Sequence, residues 1–418
     1  MKTKIPRNRL YFKKTLLIKA FAFLFTPKAL EGEYVEIFEK EFKDFIGARH
    51  AIAVSSGKLA LYLCLKYLGA EKGDKVILSD FNVPEVPALL ASSGFIPVLV
   101  DIDRDTFNIN PDLIEQNIDK RTKFIVVTHM FGVPAEIKRI CTIAKKHNLK
   151  IIEDACQALG SEYQGHKVGI FGDAGYFSLG LLKPLSALNG GIIVTNNNEL
   201  ANNIRKEIAQ YSNIERIKLF KDLIKTGLII FLTNKEVFNY LTYPLLSLLN
   251  RFNKQIKFNI LQGKEISCIS SKALGRMKVK FSNLQAMVGV GNLSILPEII
   301  KNILEKSELL SKLLIESGII VQRSGEGSLS AYFKYVIKVH DREAVLNSLF
   351  RLGIDTTYGY MKACSSICSL FKYSTSCTES MLLTNENIYL PVNSLNSNDD
   401  VHHLAKTLKE ITKKLQKN

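Results

Sequence analysis

The sequence contains no tryptophan, and its seven cysteines are an odd, scattered set. Cysteines distributed in this way do not form the framework of a disulfide-rich secreted protein. Cys364 and Cys368 lie four residues apart, but no second Cys or His pair follows at the spacing of a zinc site. We therefore predict reduced thiols in a cytoplasmic protein, and no metal site.

Long hydrophobic runs are also missing. Residues 16–25 are apolar and follow several basic residues, which loosely resembles a secretory signal. Lys19 interrupts the stretch, however, and Pro27 and Lys28 stand where a cleavage site should be. The stretch is also shorter than the ~20 apolar residues of a spanning helix. We expect an amphipathic helix that lies on the protein or on a membrane surface.

Acidic residues are fewer than basic ones, 40 against 56, so the formal net charge is +16 at pH 7. Such an excess suits an anionic partner, for example a nucleic acid, a membrane surface or a phosphorylated substrate. The basic residues are scattered, however, and no RNA-recognition or zinc-finger motif occurs. The composition therefore does not favour nucleic acid as a partner.

Between residues 50 and 200, short runs rich in Val and Ile alternate with amphipathic segments of helical length. The runs predict strands at 51–54, 76–78, 97–102, 124–128, 151–153, 174–178 and 192–195, and several of the intervening segments predict helices at 59–68, 86–93, 111–117 and 136–147. This alternation indicates an α/β fold with a mostly parallel sheet covered on both faces. In open sheets of this class the ligand binds outside the carboxyl ends of the strands.

The second half of the chain has a different pattern. Residues 219–232 and 237–252 are apolar with helical period, and Pro244 interrupts the second of them. We expect an inserted helical hairpin that belongs to the core, to a partner contact or to a membrane interface. A long helix is predicted at 277–314, with Pro297 as a break or start. A small α+β domain follows, with strands at 332–339 and 387–391 and helices at 341–352 and 399–414.

The predicted organisation thus has four parts. They are a basic and apolar N-terminal segment at 1–35, a large domain at 36–206, the apolar helical insert at 207–265, and the long helix with the small C-terminal domain at 266–418. No internal repeat and no low-complexity segment occurs.

Polar residues that could take part in catalysis or binding lie at predicted strand ends. Glu153 and Asp154 close an apolar strand, where a carboxylate costs desolvation energy unless a cation meets it. Taken alone, this pair favours a helix cap or an ion pair. Lys183 stands among apolar residues in a loop after Ser178, and desolvation there would lower the pKa of its ammonium, as a Schiff-base lysine requires.

A possible anion site precedes the first helix of the alternating region. Ser56, Gly57 and Lys58 follow a predicted strand and open a predicted helix. Free backbone N–H groups and the positive helix end would face an anion such as phosphate there. The signal is weak by itself, because Ser and Gly also start helices for structural reasons.

In this order and spacing, these residues resemble the DegT/DnrJ/EryC1/StrS family of nucleotide-sugar aminotransferases, which depend on pyridoxal 5'-phosphate (PLP). The resemblance extends from about residue 36 to 408, and further matching segments are 72–77, 97–103, 129–134, 153–158, 189–191, 282–286 and 389–391. It implies an aspartate-aminotransferase-like fold, with a three-layer α-β-α large domain and a smaller C-terminal α+β domain.

The resemblance also implies roles for individual residues. Lys183 would carry PLP covalently and then move a proton between the amino donor and the cofactor. Asp154 would pair with the pyridine nitrogen, and Gln157 would donate a hydrogen bond to the phenolic oxygen of the ring.

The same resemblance assigns the phosphate to Ser178 and to the backbone at Ser56, Gly57 and Lys58. Lys58 replaces the threonine usual in the family, and it could pair with phosphate as a point charge. Lys278 stands where the family has an asparagine that a partner subunit points towards the phosphate, so a homodimer is expected.

Other positions depart from the family pattern. Val83 stands where an aromatic residue usually covers the cofactor ring, and nearby Phe81 could replace it only if the loop shifts. Asn189 replaces an acidic residue, Pro184 replaces an asparagine, and the Arg-Asn-His-Gly segment expected after Arg205 is missing. This combination suggests an altered substrate rather than a dead enzyme.

The resemblance implies amino transfer from glutamate to a keto-sugar linked to a nucleoside diphosphate, in the synthesis of cell-surface polysaccharide. A sugar dehydratase on the same fold is a variant, although such enzymes have histidine in place of Lys183. A further alternative is a PLP-fold homologue with lost catalysis, which would act as a regulatory or assembly protein. The basic N-terminal segment and the apolar insert suggest, as another possibility, peripheral attachment to the inner membrane face and a lipid-linked acceptor.

Overall fold

A seven-stranded sheet forms the centre of the computed structural model, which describes residues 4–252, 274–367 and 377–415. Its strands are β1 (His50–Val54), β2 (Lys75–Ser79), β3 (Ile96–Val100), β4 (Thr122–Thr128), β5 (Lys150–Asp154), β6 (Ala174–Ser178) and β7 (Gly191–Thr195). They lie in the order β1-β7-β6-β5-β4-β2-β3. Six of these strands run in the same direction, and β7 runs antiparallel to its two neighbours, β1 and β6. All seven predicted strands are therefore present, and the mostly parallel sheet is confirmed.

Thirteen helices of eight or more residues lie in the described ranges. They are α1 (Lys14–Leu24), α2 (Tyr34–Ile46), α3 (Gly57–Tyr67), α4 (Glu85–Ser92), α5 (Ile137–Lys146), α6 (Asn198–Ala209), α7 (Arg216–Leu232), α8 (Tyr243–Phe252), α9 (Asn283–Leu293), α10 (Leu296–Ile315), α11 (Arg342–Arg351), α12 (Thr378–Glu386) and α13 (Asn398–Leu415).

The sheet is covered on both faces, as its nearly continuous apolar strands require. Alternate residues of β4 show the division, because Ile125 and Val127 belong to one core and Phe124 and Val126 to the other. Helices α2, α5 and α9 pack in the first core, and α3, α4 and α6 pack in the second. This is the predicted three-layer α-β-α architecture.

Two predicted helices were wrong in detail. Residues 111–117 form two 3₁₀ turns, Pro111–Leu113 and Glu115–Asn117, rather than one α-helix. The long helix predicted at 277–314 begins later than expected, and it is divided into α9 and α10 next to Pro297, where a break or start was predicted. Helix α9 begins only after Ser282, whose side chain accepts from the backbone N–H of Gln285 while Gln285 caps Ser282 in return. Pro297 lies in the first turn of α10, where proline is tolerated.

A smaller antiparallel sheet forms the C-terminal α+β unit. Its strands are β8 (Ile320–Val321), β9 (Tyr335–Lys338) and β10 (Asn387–Leu390), in the order β8-β9-β10. Helices α10, α11 and α13 pack with it around a separate core. The N-terminus joins this unit, since Ile5 bridges to Ile354 and the Arg7 guanidinium donates two hydrogen bonds to the Asp355 carboxylate, at 2.9 and 2.7 Å.

The predicted N-terminal amphipathic helix is α1, and it lies on the protein. Leu16, Ala20 and Leu24 are buried against α7 and α9, whereas Ile18 and Phe25 are exposed. In the predicted insert, α7 is followed by the helical turn Lys235–Val237, the π-turn Phe238–Thr242 and then α8. Pro244 therefore lies in the first turn of α8 and does not interrupt it. The predicted boundary at residue 265 lies outside the described residues.

Across residues 4–252, 274–367 and 377–415, the structure contains no single helix that is both long and apolar enough to cross a membrane. Helices α9 and α10 pass on length and composition only as a pair, and that pair is bent by 52°.

Candidate active site

A cavity of about 210 Å³ opens at the carboxyl ends of the central strands, where ligands bind in folds of this class. Its lining brings together all but one of the residues singled out in the sequence, namely Ser56, Gly57, Lys58, Asp154, Gln157, Ser178 and Lys183. These residues come from four different segments of the chain. The fold thus brings these residues to one cavity.

The two acids at the end of β5 have different environments, because neighbouring strand residues point to opposite faces of the sheet. The Glu153 carboxylate is fully buried and accepts hydrogen bonds from the backbone N–H groups of Gly169, Phe171 and Gly172, at 2.6–2.8 Å. It also contacts His129 Nε2 at 3.0 Å. Glu153 therefore organises a loop, whereas Asp154 faces the cavity.

The Asp154 carboxylate is 5% exposed, so its charge is poorly solvated. One oxygen accepts from the Cys156 backbone N–H at 3.1 Å. Burial and the charge of Asp154 raise the pKa of the Tyr176 hydroxyl. That hydroxyl makes no hydrogen bond of proper geometry with the described part of the chain. A cationic group in the cavity would therefore find an incompletely paired carboxylate.

Lys183 lies in the loop between β6 and β7, in a turn closed by its N–H and the Gly180 carbonyl at 3.0 Å. Burial lowers the pKa of its ammonium, and negative charge at Cys156 and Asp154 acts in the opposite direction. The Cys156 thiol is held neutral because burial raises its pKa well above the ordinary value. Asp154 is therefore the charge that Lys183 meets at neutral pH.

The Lys183 amine forms no salt bridge with any residue in the described ranges. Its Nζ lies 4.5 Å from the ring centroid of Phe333, which precedes β9 in the C-terminal unit. Phe333 was not predicted as a site residue, because no local pattern connects a residue before β9 with a loop 150 positions earlier.

Gln157 is 3% exposed and has an amide group with unused hydrogen-bonding capacity. Its Oε1 accepts from the Phe131 backbone N–H at 3.3 Å. Among the described residues, its Nε2 has hydrogen-bond contacts only with the thioether sulfurs of Met130 and Met361, at 3.9 and 3.8 Å. Thioether sulfur is a weak acceptor, so an oxygen in the cavity would be a better partner for this amide.

The start of α3 forms the opposite wall of the cavity. Ser56 caps the helix by accepting from the Leu59 N–H at 3.2 Å, while the N–H groups of Gly57 and Lys58 have no acceptor within the helix. A Cβ at Gly57 would lie 3.5 Å from the Ser178 Cβ. The Ser178 hydroxyl has no partner in the described part of the chain. These donors converge on one small volume.

Three expectations about the surrounding residues have different outcomes. Val83 lines the cavity as predicted. Phe81 does not replace it, because its side chain is fully buried and packs edge-on against Phe131 with centroids 6.1 Å apart. Lys278 lies outside this cavity in its own chain, with Nζ 3.9 Å from Glu207 and 5.7 Å from the Tyr62 ring. The expected contact of Lys278 with a partner's phosphate site therefore stays a prediction.

The architecture and cavity define an aminotransferase fold. The crystal structure of the aminotransferase TlmJ from Streptoalloteichus hindustanus superposes with a TM-score of 0.78 over 99% of this chain and all of that one, at 20% identity. At this identity the similarity establishes the fold and no more.

The chain belongs to the DegT/DnrJ/EryC1/StrS aminotransferase family, whose model matches residues 19–221 and 253–409. Among curated relatives, the spore coat polysaccharide biosynthesis protein SpsC of Bacillus subtilis (strain 168) is 39% identical over 175 residues, covering 42% of this chain and 45% of that protein. GDP-perosamine synthase of Caulobacter vibrioides is 38% identical over 174 residues, covering 42% and 47%. The chain thus spans a little under half the length of the curated relatives it matches.

Proposed function

We propose that this protein is a PLP-dependent aminotransferase that moves an amino group from glutamate to a keto-sugar linked to a nucleoside diphosphate. The observation that carries the proposal is the placement of Lys183 and Asp154 in one cavity, where burial lowers the pKa of the amine. Family membership supports the reaction class. The names of SpsC and GDP-perosamine synthase support an amino-sugar product for a cell-surface polysaccharide.

The unused polar groups of the cavity fit the cofactor. Asp154 would hold the pyridine nitrogen, the Gln157 amide would donate to the phenolic oxygen, and Ser178 would donate to the phosphate together with the backbone of Ser56, Gly57 and Lys58. When bound there, PLP supplies the electron sink that stabilises negative charge on the carbon from which a proton is removed.

The protein's own groups would then handle proton and charge. Because burial disfavours its ammonium form and lowers its pKa, Lys183 is better able to act as a nucleophile and to exchange a proton than a solvated lysine. The Asp154 charge, shielded from water, would keep the ring nitrogen protonated. Phe333 covers the amine from the C-terminal unit and limits access of water to it.

The decisive experiment compares the wild type with Lys183→Ala, and uses the exposed Lys123→Ala as a matched control. With PLP bound, the wild type and the control should show the visible absorbance band of a lysine-linked cofactor, and glutamate should abolish it. Lys183→Ala should lack the band. A wild-type protein that shows no band, or whose band is unaffected by every amino donor tried, would overturn the proposal.

The alternative of a homologue with lost catalysis is less well supported. That alternative was suggested by the departures from the family pattern at Val83, Asn189 and Lys278. The residues that would bind and use the cofactor nevertheless line one cavity, namely Asp154, Gln157, Ser178 and Lys183. The same experiment separates the two, because a regulatory or assembly protein would bind the cofactor without converting it. Lys183 also disfavours the dehydratase variant.

We further propose a homodimer in which Lys278 reaches the phosphate site of the partner subunit. Light scattering should give twice the 47.0 kDa mass of the chain. Lys278→Ala should weaken PLP binding without changing that mass. A monomer that retains full activity would exclude this arrangement.

A cytoplasmic protein with peripheral membrane contact is our proposal for its location. One face of α7 is apolar and exposed, with Ile217, Phe220, Ile224, Leu228 and Phe231 at helical spacing. Lys218, Lys221 and Lys225 lie on the same helix and would attract anionic lipid. The wild type should therefore sediment with anionic vesicles but not with neutral ones, and the double substitution Leu228→Glu and Phe231→Glu should abolish this. A wild type that stays in the supernatant excludes the contact and the lipid-linked acceptor.

A further inference from the structure

A second cavity, of about 180 Å³, adjoins the first at Lys183, which is the single described residue that lines both. Its walls come from the N-terminal segment, from the residues before β9 and from a cluster of tyrosines in the C-terminal unit. The lining consists of Arg7, Asn8, Leu182, Lys183, Phe333, Lys334, Thr357, Tyr358, Tyr360 and Tyr389. None of the residues assigned above to the cofactor, other than Lys183, belongs to it.

The charge in this second cavity is positive and incompletely balanced. Arg7, Lys183 and Lys334 line it, and none of its described lining residues is acidic. Asp355 balances Arg7 through their two-bond ion pair. Neither lysine forms a salt bridge within the described part of the chain. Lys183 meets the charge of Asp154 from the first cavity, whereas no negative group among the described residues acts on Lys334. A poorly solvated ammonium at Lys334 is costly, and an anionic ligand would offset that cost.

The Lys334 amine is held in position by one hydrogen bond and has further N–H donors that could bind a ligand. Its Nζ donates to Asn8 Oδ1 at 2.6 Å and lies 5.2 Å from the centroid of the Phe333 ring. An ammonium has three N–H donors, so two remain for a ligand. Burial, then the positive charges of Lys183 and Arg7, lower the pKa of Lys334 to about 8, so most of it is charged at pH 7.

The position of Lys334 relates it to the reacting amine. Lys183 Nζ and Lys334 Nζ lie 4.5 and 5.2 Å from the centroid of the same Phe333 ring. A small ligand whose negative group is bound by Lys334 could therefore place another of its atoms, only a few bonds away, next to the Lys183 amine. The cavity is smaller than the roughly 300–1,000 Å³ of sites for drug-sized ligands. It suits a small carboxylic acid better than a nucleotide-linked sugar.

We propose that Lys334 binds a carboxylate of the amino donor in this second cavity, and so positions the donor's amine at Lys183. This inference rests on the proposed aminotransferase function, and it assigns to the donor a site distinct from the residues that hold the cofactor. Asn8 fixes the lysine, and both amines lie near the Phe333 ring.

The test titrates the PLP-loaded protein with glutarate, a dicarboxylate that has no amine and cannot react. Lys334→Met removes the charge with little change in shape and should weaken glutarate binding about 10- to 100-fold in calorimetry. Lys334→Arg should retain most of the affinity. The matched control is Lys338→Met, which alters another partly buried lysine four residues further along the chain, at the end of β9. Its Nζ donates to the Arg104 carbonyl at 2.8 Å. The control should bind glutarate like the wild type.

The donor half-reaction provides an independent readout. The glutamate concentration for half-maximal loss of the cofactor band should rise at least tenfold in Lys334→Met. The presence of the band before glutamate is added shows that the variant is folded and carries the cofactor. Equal glutarate and glutamate affinities in wild type and Lys334→Met would overturn the inference. Weakened binding of a nucleoside diphosphate, with unchanged glutarate binding, would also overturn it, because the site would then serve the acceptor's phosphates.

Failure of the proposed function has a different signature. If the wild type shows no band or no reaction with glutamate, the aminotransferase proposal fails, whatever the variants at Lys334 do. If the wild type reacts and Lys334→Met reacts equally well, only the inference about Lys334 fails.

Discussion

The two adjacent acids at the end of β5 offer a sharp test of how the site is built. Glu153→Gln keeps the shape of the side chain but replaces one carboxylate oxygen by an NH₂ group. Both oxygens of Glu153 accept backbone N–H groups in the native structure. In either orientation of the glutamine amide, its NH₂ group will face a buried backbone N–H group. The substitution therefore breaks at least one charge-assisted hydrogen bond and leaves an N–H unsatisfied.

His129 adds to this cost. Its Nδ1 accepts from the Ala135 N–H at 3.1 Å, so the ring proton lies on Nε2 and is donated to Glu153. Loss of one or two charge-assisted bonds in a buried site corresponds to about 3–5 kcal/mol of unfolding free energy. With an unfolding entropy of about 2.1 cal/mol/K per residue over 418 residues, roughly 0.9 kcal/mol/K, the midpoint should fall by about 3–6 °C.

Calorimetry or circular dichroism on heating measures this shift. The control is Glu162→Gln, the same substitution in a partly exposed pair with Lys167 at 3.2 Å, which should move the midpoint by less than about 1 °C. Asp154→Asn should likewise leave the midpoint of the cofactor-free protein nearly unchanged, yet abolish the donor half-reaction. A midpoint for Glu153→Gln within 1 °C of the wild type would refute the division of the two acids into a structural and a functional one.

Three further predictions concern the two cavities. Gly191→Ala places a Cβ 2.7 Å from the Gly57 nitrogen, so the substitution should displace the start of α3. PLP binding should then weaken by about tenfold in a fluorescence titration. The control Gly275→Ala, whose Cβ would meet no atom within 4 Å, should leave PLP binding unchanged. Val83→Tyr should restore an aromatic face and tighten PLP binding about fivefold, which corresponds to ~1 kcal/mol; unchanged affinity would show that the ring does not reach the cofactor. Glutarate affinity should decline as the pH rises above about 8, because Lys334, which faces Lys183 and the Arg7–Asp355 pair, then loses its proton. Lys334→Arg should remain flat to a higher pH, and an identical decline in that variant would assign the titration to another group.

The central sheet was predictable because its strands are buried on both faces. Such strands are nearly continuous apolar runs, which stand out in the sequence without any knowledge of their neighbours. The bounds of β5 moved by only one residue at each end, from 151–153 to Lys150–Asp154. Once the strand ends are known, the rule for open sheets places Asp154 and the start of α3 at the same edge.

The opposite directions of Glu153 and Asp154 also followed from local geometry, since successive residues of a strand alternate between faces. The start of α9 was missed although the sequence contained its signal. Ser282 and Gln285 have the spacing of a capping box, and the apolar residues before them suggested an earlier start.

Phe333 and Lys334 could not be predicted in the same way. Their place near Lys183 depends on how the C-terminal unit is assembled, and that assembly uses contacts between distant parts of the chain, such as the pairing of β9 with β10 and the bridge from Ile5 to Ile354. Hydrophobic period locates a strand such as β9, but it does not show which loop of another unit the residues before the strand will cover.

The two cavities expose Lys183 to fields of opposite sign. On one side the Asp154 charge raises the pKa of the Lys183 amine. On the other side lies Lys334, whose pKa is lowered by burial and then by the positive charges of Lys183 and Arg7. Because the repulsion between two charges is mutual, a charged Lys334 also disfavours the ammonium form of Lys183. A carboxylate bound at Lys334 would cancel that positive charge. The proton affinity of Lys183 would then rise when the donor arrives, which is when a base is needed beside it. An empty site would thus favour a neutral, nucleophilic amine, and an occupied site would favour an amine that can hold the transferred proton.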